Sequence, residues 1–185
     1  MEPHHLPENW VNLTIIRHVL QKDLPALEWG GEFAHFRRVY ADAYNRALQG
    51  LSVLWLAELQ PYGILGQVFI QLTCQRPELA DGCARAYLYS FRVQPAFQSA
   101  GLGTRMVHVV ETDLLERGYK ILTLNVAKDN PRAQALYERL GYCVVDHEPG
   151  VWSYTDHLGR RRNQIEPAWR MEKILTRESI PSRMR

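Results

Sequence analysis

The segment Val93-Gln94-Pro95-Ala96-Phe97-Gln98-Ser99-Ala100-Gly101-Leu102-Gly103-Thr104 passes from a β-rich run through a turn of small residues into a long amphipathic run. Backbone N–H groups at the start of a helix have no intrahelical partner, and the helix dipole adds about half a positive charge there. A turn of this kind therefore suits an anion, and glycines let a diphosphate approach the backbone closely. Two other phosphate loops are excluded. No Lys-Ser/Thr pair follows, as a P-loop needs, and Met106 stands at the third glycine position of a dinucleotide fingerprint. Asn125 and Val126 end the next β-rich run, where a ribose-binding acid would be expected. Taken alone, a two-glycine turn is also compatible with an ordinary helix start.

Outward from this turn, periodicity predicts the neighbouring elements. Arg85 to Val93 reads as a strand with Tyr87, Tyr89, Phe91 and Val93 on one face. Gly101 to Arg117 reads as a helix with Leu102, Met106, Val109, Val110 and Leu114 on its buried side, ended by Gly118. Ile121 to Val126 is almost wholly apolar, the pattern of a strand covered on both faces. Asn130 then caps a helix with Pro131 at its first position, and Gly141 ends it. Upstream, Asn12 to Arg17 reads as a strand, Asp23 before Pro25 as a helix start, and Glu32 to Leu48 as a helix closed by Gly50. Ser52 to Leu59 and Leu65 to Leu72 flank Gln60-Pro61-Tyr62-Gly63 and read as a hairpin. Cys143 to Val145 and Trp169 to Ile174 supply two last strands around a polar connection from Asp146 to Pro167.

The whole chain of 185 residues, 46% hydrophobic and 23% charged, is read as one domain, residues 1–185, with a core over about residues 12–175 and tails at 1–11 and 176–185. A net charge of +2 supplies no overall field for nucleic acid or an anionic membrane, so neither is expected as a partner. No apolar run is long enough for a membrane span, and the N-terminus lacks the pattern of a secretory signal. Cys74, Cys83 and Cys143 form no Cys-x-x-Cys pair and suggest neither a disulfide framework nor a zinc site; no metal is expected, and a cytoplasmic location fits a reducing compartment.

Gln98-Ser99-Ala100-Gly101-Leu102-Gly103 resembles the Gln/Arg-x-x-Gly-x-Gly/Ala signature of the GNAT superfamily of N-acetyltransferases. A second segment, Val126 to Tyr142, is similar to that superfamily's other cofactor segment, with Asn130, Ala133, Leu136-Tyr137 and Gly141-Tyr142 at its spacings, and Trp169 to Lys173 is similar to its final strand. The resemblance implies an α/β (α+β) fold: a mostly antiparallel twisted sheet of six to seven strands, flanked by about four helices and splayed between its two central strands. It also implies acetyl-CoA as co-substrate. The backbone of Phe91, Arg92 and Val93 would pair with the pantetheine arm, Gln98, Ser99, Ala100, Gly101, Leu102, Gly103 and Thr104 would hold the pyrophosphate, and Asn125, Asn130, Ala133 and Tyr137 would complete the cofactor site.

The implied reaction is direct attack by a primary amine of a small molecule or peptide on the thioester, with Tyr137 as general acid. A phenol of pKa about 10 is protonated at neutral pH and donates more readily than it accepts. The amine must lose a proton, which at pH 7 costs a lysine-type amine roughly 4.6 kcal/mol. The strand before the phosphate turn, Tyr87-Leu88-Tyr89-Ser90-Phe91, carries no carboxylate, and Glu58 is the expected base through a water, or else a solvated strand-end carboxylate. Relatives that modify ribosomal-protein N-termini often have Glu where this chain has Asn125. A CoA-binding sensor without transferase activity, or a transferase for a longer acyl group, are the rival readings, and the sequence is compatible with a homodimer.

Other residues have plainer readings beside sharper ones. Arg160-Arg161-Arg162 is a solvated basic turn or a site for an acidic acceptor; Trp152 and Tyr154 belong to the core or to an acceptor pocket. Arg132 or Lys128 would meet the 3′-phosphate of CoA, and Glu32, Phe33, His35 and Phe36 fall where the superfamily builds its acceptor-side wall.

Overall fold

Period-two alternation in the middle of the chain buries two faces at once. Val53, Ala57, Val68 and Ile70 point into one apolar cluster, while Leu54, Leu56 and Phe69 point into the other. A sheet hydrophobic on both sides must be covered on both sides. The computed structural model describes residues 6–177. It begins with α1 (Trp10–Leu13), β1 (Ile15–His18), two 3₁₀ segments (Gln21–Gly31 and Ala34–Phe36), α2 (Arg37–Leu48), β2 (Ser52–Leu59), β3 (Gly63–Gln71) and β4 (Arg85–Val93). A 3₁₀ turn (Pro95–Phe97) leads to α3 (Leu102–Glu116), β5 (Ile121–Ala127), α4 (Pro131–Arg139), β6 (Cys143–Glu148), β7 (Val151–Thr155), β8 (Arg161–Ile165) and β9 (Ala168–Ile174). Residues of α3 and α4 cover the first cluster, and α2 with the preceding 3₁₀ segments covers the second. Among the described residues, no helix is long and apolar enough to cross a membrane.

Seven strands form one sheet in the order β1-β2-β3-β4-β5-β9-β6, with β7 and β8 as a separate antiparallel hairpin. Every neighbouring pair of the large sheet is antiparallel except β4 and β5. That parallel pairing stops at Leu88 and Leu124, although β4 continues to Val93 and β5 to Ala127. The sheet is therefore open between its two central strands, as the fold class requires.

Several expectations need correction. Asn12 and Leu13 are not strand: Trp10 packs edge-on against Phe97 at 5.5 Å, and Thr14 Oγ1 donates to Trp10 O at 3.0 Å, closing a helical turn before the strand starts at Ile15. The expected helix over Glu32 to Leu48 begins only at Arg37, after a 3₁₀ turn over Ala34–Phe36. Val107, rather than Val109, faces the core in α3. The polar connection after Cys143 holds structure that was not foreseen: β6 runs to Glu148, and β7 and β8 follow it.

The one-face reading of β4 also fails, for a local reason. Tyr87 and Tyr89 stack in parallel, but Ser90 adopts φ +50°, and the register with β3 slips between Gln67 and Phe69. One extra residue in a strand reverses the side of everything after it. Phe91 consequently turns toward Gly103 and Leu136, and Arg92 takes the opposite face beside Tyr40.

Candidate active site

Residues at the ends of β4, α3 and α4 meet in the opening of the sheet because each element ends or begins there. Together they line a cleft of about 560 Å³, a size that accommodates a small-molecule ligand. Ser99 (φ +65°) and Gly101 (φ +93°) bend the chain so that α3 starts with its amides facing this cleft. A Cβ on Gly101 would meet nothing within 4 Å, so the approach to the turn is clear of protein. The turn is braced from both sides: Gln98 Nε2 donates to Val93 O at 2.8 Å, and Arg132 donates to Ser99 Oγ at 2.5 Å. Asn130 Oδ1 accepts from Ala133 N at 3.0 Å, the N-cap that fixes the first turn of α4. These features fit a diphosphate: free helix-start amides, a close backbone approach and a cation across the gap.

Of the residues expected to hold the cofactor, Phe91, Arg92, Val93, Gln98, Ser99, Gly101, Gly103, Thr104, Asn130, Ala133 and Tyr137 line the cleft. Leu102 does not, because its side chain turns into the core at 1% exposure, and Ala100 faces solvent. Asn125 lies just beyond the last β4–β5 rung, with its Oδ1 buried and without a hydrogen-bond partner among the described residues, but outside the cleft lining.

Tyr137 is almost fully enclosed, with its ring edge-on to Tyr142 at 5.5 Å. Burial, and then the proximity of Tyr87, push its phenol well above the ordinary tyrosine range. Tyr87 itself is raised to about 12, by burial first and then by the charge of Glu148. At neutral pH both phenols hold their protons, so Tyr137 is suited to donate.

Glu58 is placed differently from its expected role. Its carboxylate accepts from Arg17 at 2.7 Å, and the same guanidinium bonds Asp23 at 2.6 and 3.1 Å. It sits on β2, two strands away from β4, and is not among the residues lining the cleft. The arginine run is also committed elsewhere. Arg160 and Arg162 both donate to Asp156, which is 1% exposed, and Arg161 donates to Ser153, so the run fastens the β7–β8 hairpin. Lys128 stacks over the Trp169 ring at 3.8 Å, leaving Arg132 as the cleft cation of that pair.

A model of the acetyltransferase (GNAT) family matches residues 27–142. The chain belongs to the GNAT family. The ribosomal protein bS18-alanine N-acetyltransferase of Haemophilus ducreyi is 30% identical over 80 residues, 43% of this chain and 54% of that protein, so the match spans about half of that relative. Two solved structures share the fold. The ribosomal-protein-S18-alanine N-acetyltransferase of Escherichia coli aligns with a TM-score of 0.64 at 23% identity, over 88% of this chain and 94% of that one. The yncA protein of Salmonella typhimurium, solved with its cofactor acetyl-CoA, aligns with a TM-score of 0.65 at 16% identity, over 91% and 98%.

The GNAT signature accounts for the cofactor end of the cleft but not for its other end. Trp29, Glu32 and Phe33 line that end, and Trp29 was missed in the sequence. Its φ of +46° and the following Gly30 (φ +69°) break the helical path there. The available signal was Trp29-Gly30-Gly31, an aromatic residue against a glycine pair inside an otherwise periodic run. Behind this wall, Phe36 packs against Tyr154 at 4.9 Å and Trp152 at 6.3 Å, so the hairpin buttresses it.

Proposed function

We propose that the protein transfers an acetyl group from acetyl-CoA to a primary amine of a small molecule or peptide by direct attack, with Tyr137 as general acid. The observation that carries this reading is the convergence of the open β4–β5 junction, the amide-lined turn at Ser99–Thr104 and the buried Tyr137 on one cleft. The acetyl-CoA-bound Salmonella structure, which shares the fold, supports the choice of co-substrate.

In this reading the amides of Gly101 to Thr104, with Arg132, hold the pyrophosphate, and the exposed backbone edge of Phe91 to Val93 pairs with the pantetheine amides. The Phe91 N–H stabilises the charge that grows on the thioester oxygen as the amine nitrogen bonds to the carbonyl carbon. When the carbon–sulfur bond breaks, Tyr137 gives its proton to the departing sulfur and is reprotonated from solvent. The amine enters uncharged and loses its second proton to water. Glu58, paired with Arg17 and outside the cleft lining, is not assigned the role of base in this reading.

The test is a thiol-release assay across amines and peptides, run with Tyr137→Phe beside the wild type. Acetyl-CoA-dependent release that falls roughly 10²-fold in the variant, with cofactor affinity retained, supports the assignment. Turnover unchanged by the substitution would remove Tyr137 from the chemistry.

A further inference from the structure

The bulge at Ser90 places Phe91 and Arg92 on opposite sides of β4. Phe91 faces α3 and the cofactor end. The Arg92 guanidinium lies over the rings of Phe33 at 4.2 Å and Phe36 at 4.9 Å, donates one N–H to Tyr40 Oη at 2.7 Å, and lines the cleft. Guanidinium carries five N–H donors, and only this one has a protein acceptor among the described residues.

No carboxylate among the described residues forms an ion pair with this cation. Tyr40 is no counter-ion, since burial raises its pKa and keeps the phenol neutral. Glu28, the carboxylate near Tyr40, accepts from Arg37 Nε at 2.6 Å and Nη2 at 2.8 Å. Glu32 lies exposed at the rim, where water screens it. A half-buried cation lying over two aromatic rings and open to a ligand cleft is arranged for an anion. The cofactor's phosphates are accounted for elsewhere, at Ser99 to Thr104 and Arg132, on the other side of the strand.

Resting on the transferase reading above, we infer that Arg92 anchors a carboxylate of the acceptor, so that the substrate is an amine that also carries an acid group. Such an acceptor pairs its carboxylate with the guanidinium fork while its amine reaches the thioester beside Tyr137. A polyamine would bring like charge to the same place. The aromatic rings hold the fork in plane and exclude water from it, which strengthens a bidentate pair.

Matched probes test this: 4-aminobutyrate against 4-aminobutanamide, and alanyl-glutamate amide against alanyl-glutamine amide, each differing only in the charge of one group. Binding to the wild type in saturating CoA is measured by calorimetry, and kcat/KM by thiol release from acetyl-CoA. At least one carboxylate probe should be preferred over its amide by about 10- to 100-fold. That ratio should fall to about 1 in Arg92→Met and recover in part in Arg92→Lys. Because the ratio compares two ligands on one protein, general damage from the substitution cancels. If no carboxylate is preferred in binding, or if the preference survives in Arg92→Met, the assignment is overturned. The underlying transferase reading fails separately, by the absence of acetyl-CoA binding to the wild type.

Discussion

Ser90 holds a backbone angle of φ +50° that a residue with a Cβ rarely adopts, and Gln67, fully buried on the neighbouring strand, donates to its Oγ at 3.0 Å. Strain of this kind costs about 1–3 kcal/mol and persists where the surroundings dictate it. Ser90→Val should therefore lose about 1–3 kcal/mol, while Ser90→Gly stays within about 1 kcal/mol of the wild type. Urea midpoints decide the matter, and equal stability of the two variants would show that the bulge is unstrained. At Tyr137 the raised pKa fixes the sign of a pH dependence. An acid that keeps its proton well past the ordinary tyrosine range leaves kcat with no falling limb below about pH 10. A fall centred near pH 8 to 9 that vanishes in Tyr137→Phe would contradict its place as a deeply buried acid. The place of Tyr137 in the cleft was legible in the sequence because Asn130, Ala133 and Tyr137 carry a family spacing. Ser90 was not, since nothing in a serine announces a left-handed backbone.

Among the elements, α3 and α4 were legible almost to the residue, because Gly101, Gly118, Asn130, Pro131 and Gly141 punctuate them and a capping residue acts through local chemistry alone. The β7–β8 hairpin escaped notice for the converse reason. Its arginines look like solvated charge until Asp156 is seen beneath them, accepting from Arg160, Arg162 and two backbone amides. Burial raises the Asp156 pKa, but those donors outweigh it and hold the carboxyl well below the usual range. The start of α3 makes its own prediction. A Cβ at Gly103 would touch only side chains, Phe91 at 3.4 Å and Leu136 at 3.9 Å, so the helix accepts a side chain there. Gly103→Glu should keep the circular dichroism and melting curve of the wild type yet lose acetyl-CoA binding by at least about 100-fold, because its carboxylate would stand where a diphosphate must lie. Retained affinity by calorimetry would move the cofactor out of this cleft.

At the scale of the molecule, the α3 face of the sheet is fastened by a buried ion pair. Beneath α3, Lys173 Nζ lies 2.8 and 2.9 Å from the two oxygens of Glu111, whose Oε1 also accepts from Tyr142 Oη at 2.9 Å. Glu111 is 1% exposed and Lys173 is 8% exposed, so neither charge has water to fall back on. Breaking such a pair from one side typically costs 3–5 kcal/mol, whereas replacing both partners with apolar groups is often close to neutral. Lys173→Met should therefore destabilise by about 3–5 kcal/mol, and Glu111→Leu with Lys173→Met should recover most of the loss in a denaturant titration. A double-variant loss equal to the sum of the two single losses would show that the two charges act independently. Sequence patterning could not reveal this contact, since charges so far apart along the chain are counted as surface until the topology brings β9 under α3.

The wall around Arg92 stands outside this scaffold. It is made by Trp29 to Phe36 and is buttressed by Trp152 and Tyr154 of β7, none of which belongs to the seven-stranded sheet. If the proposed roles hold, exchange of these two peripheral segments should change acceptor preference while leaving the turn at Ser99–Thr104 and Tyr137 in place. Descendants of one ancestral enzyme could diverge in diet through about two dozen residues, and a laboratory library confined to those segments would sample new acceptors without gambling on the fold.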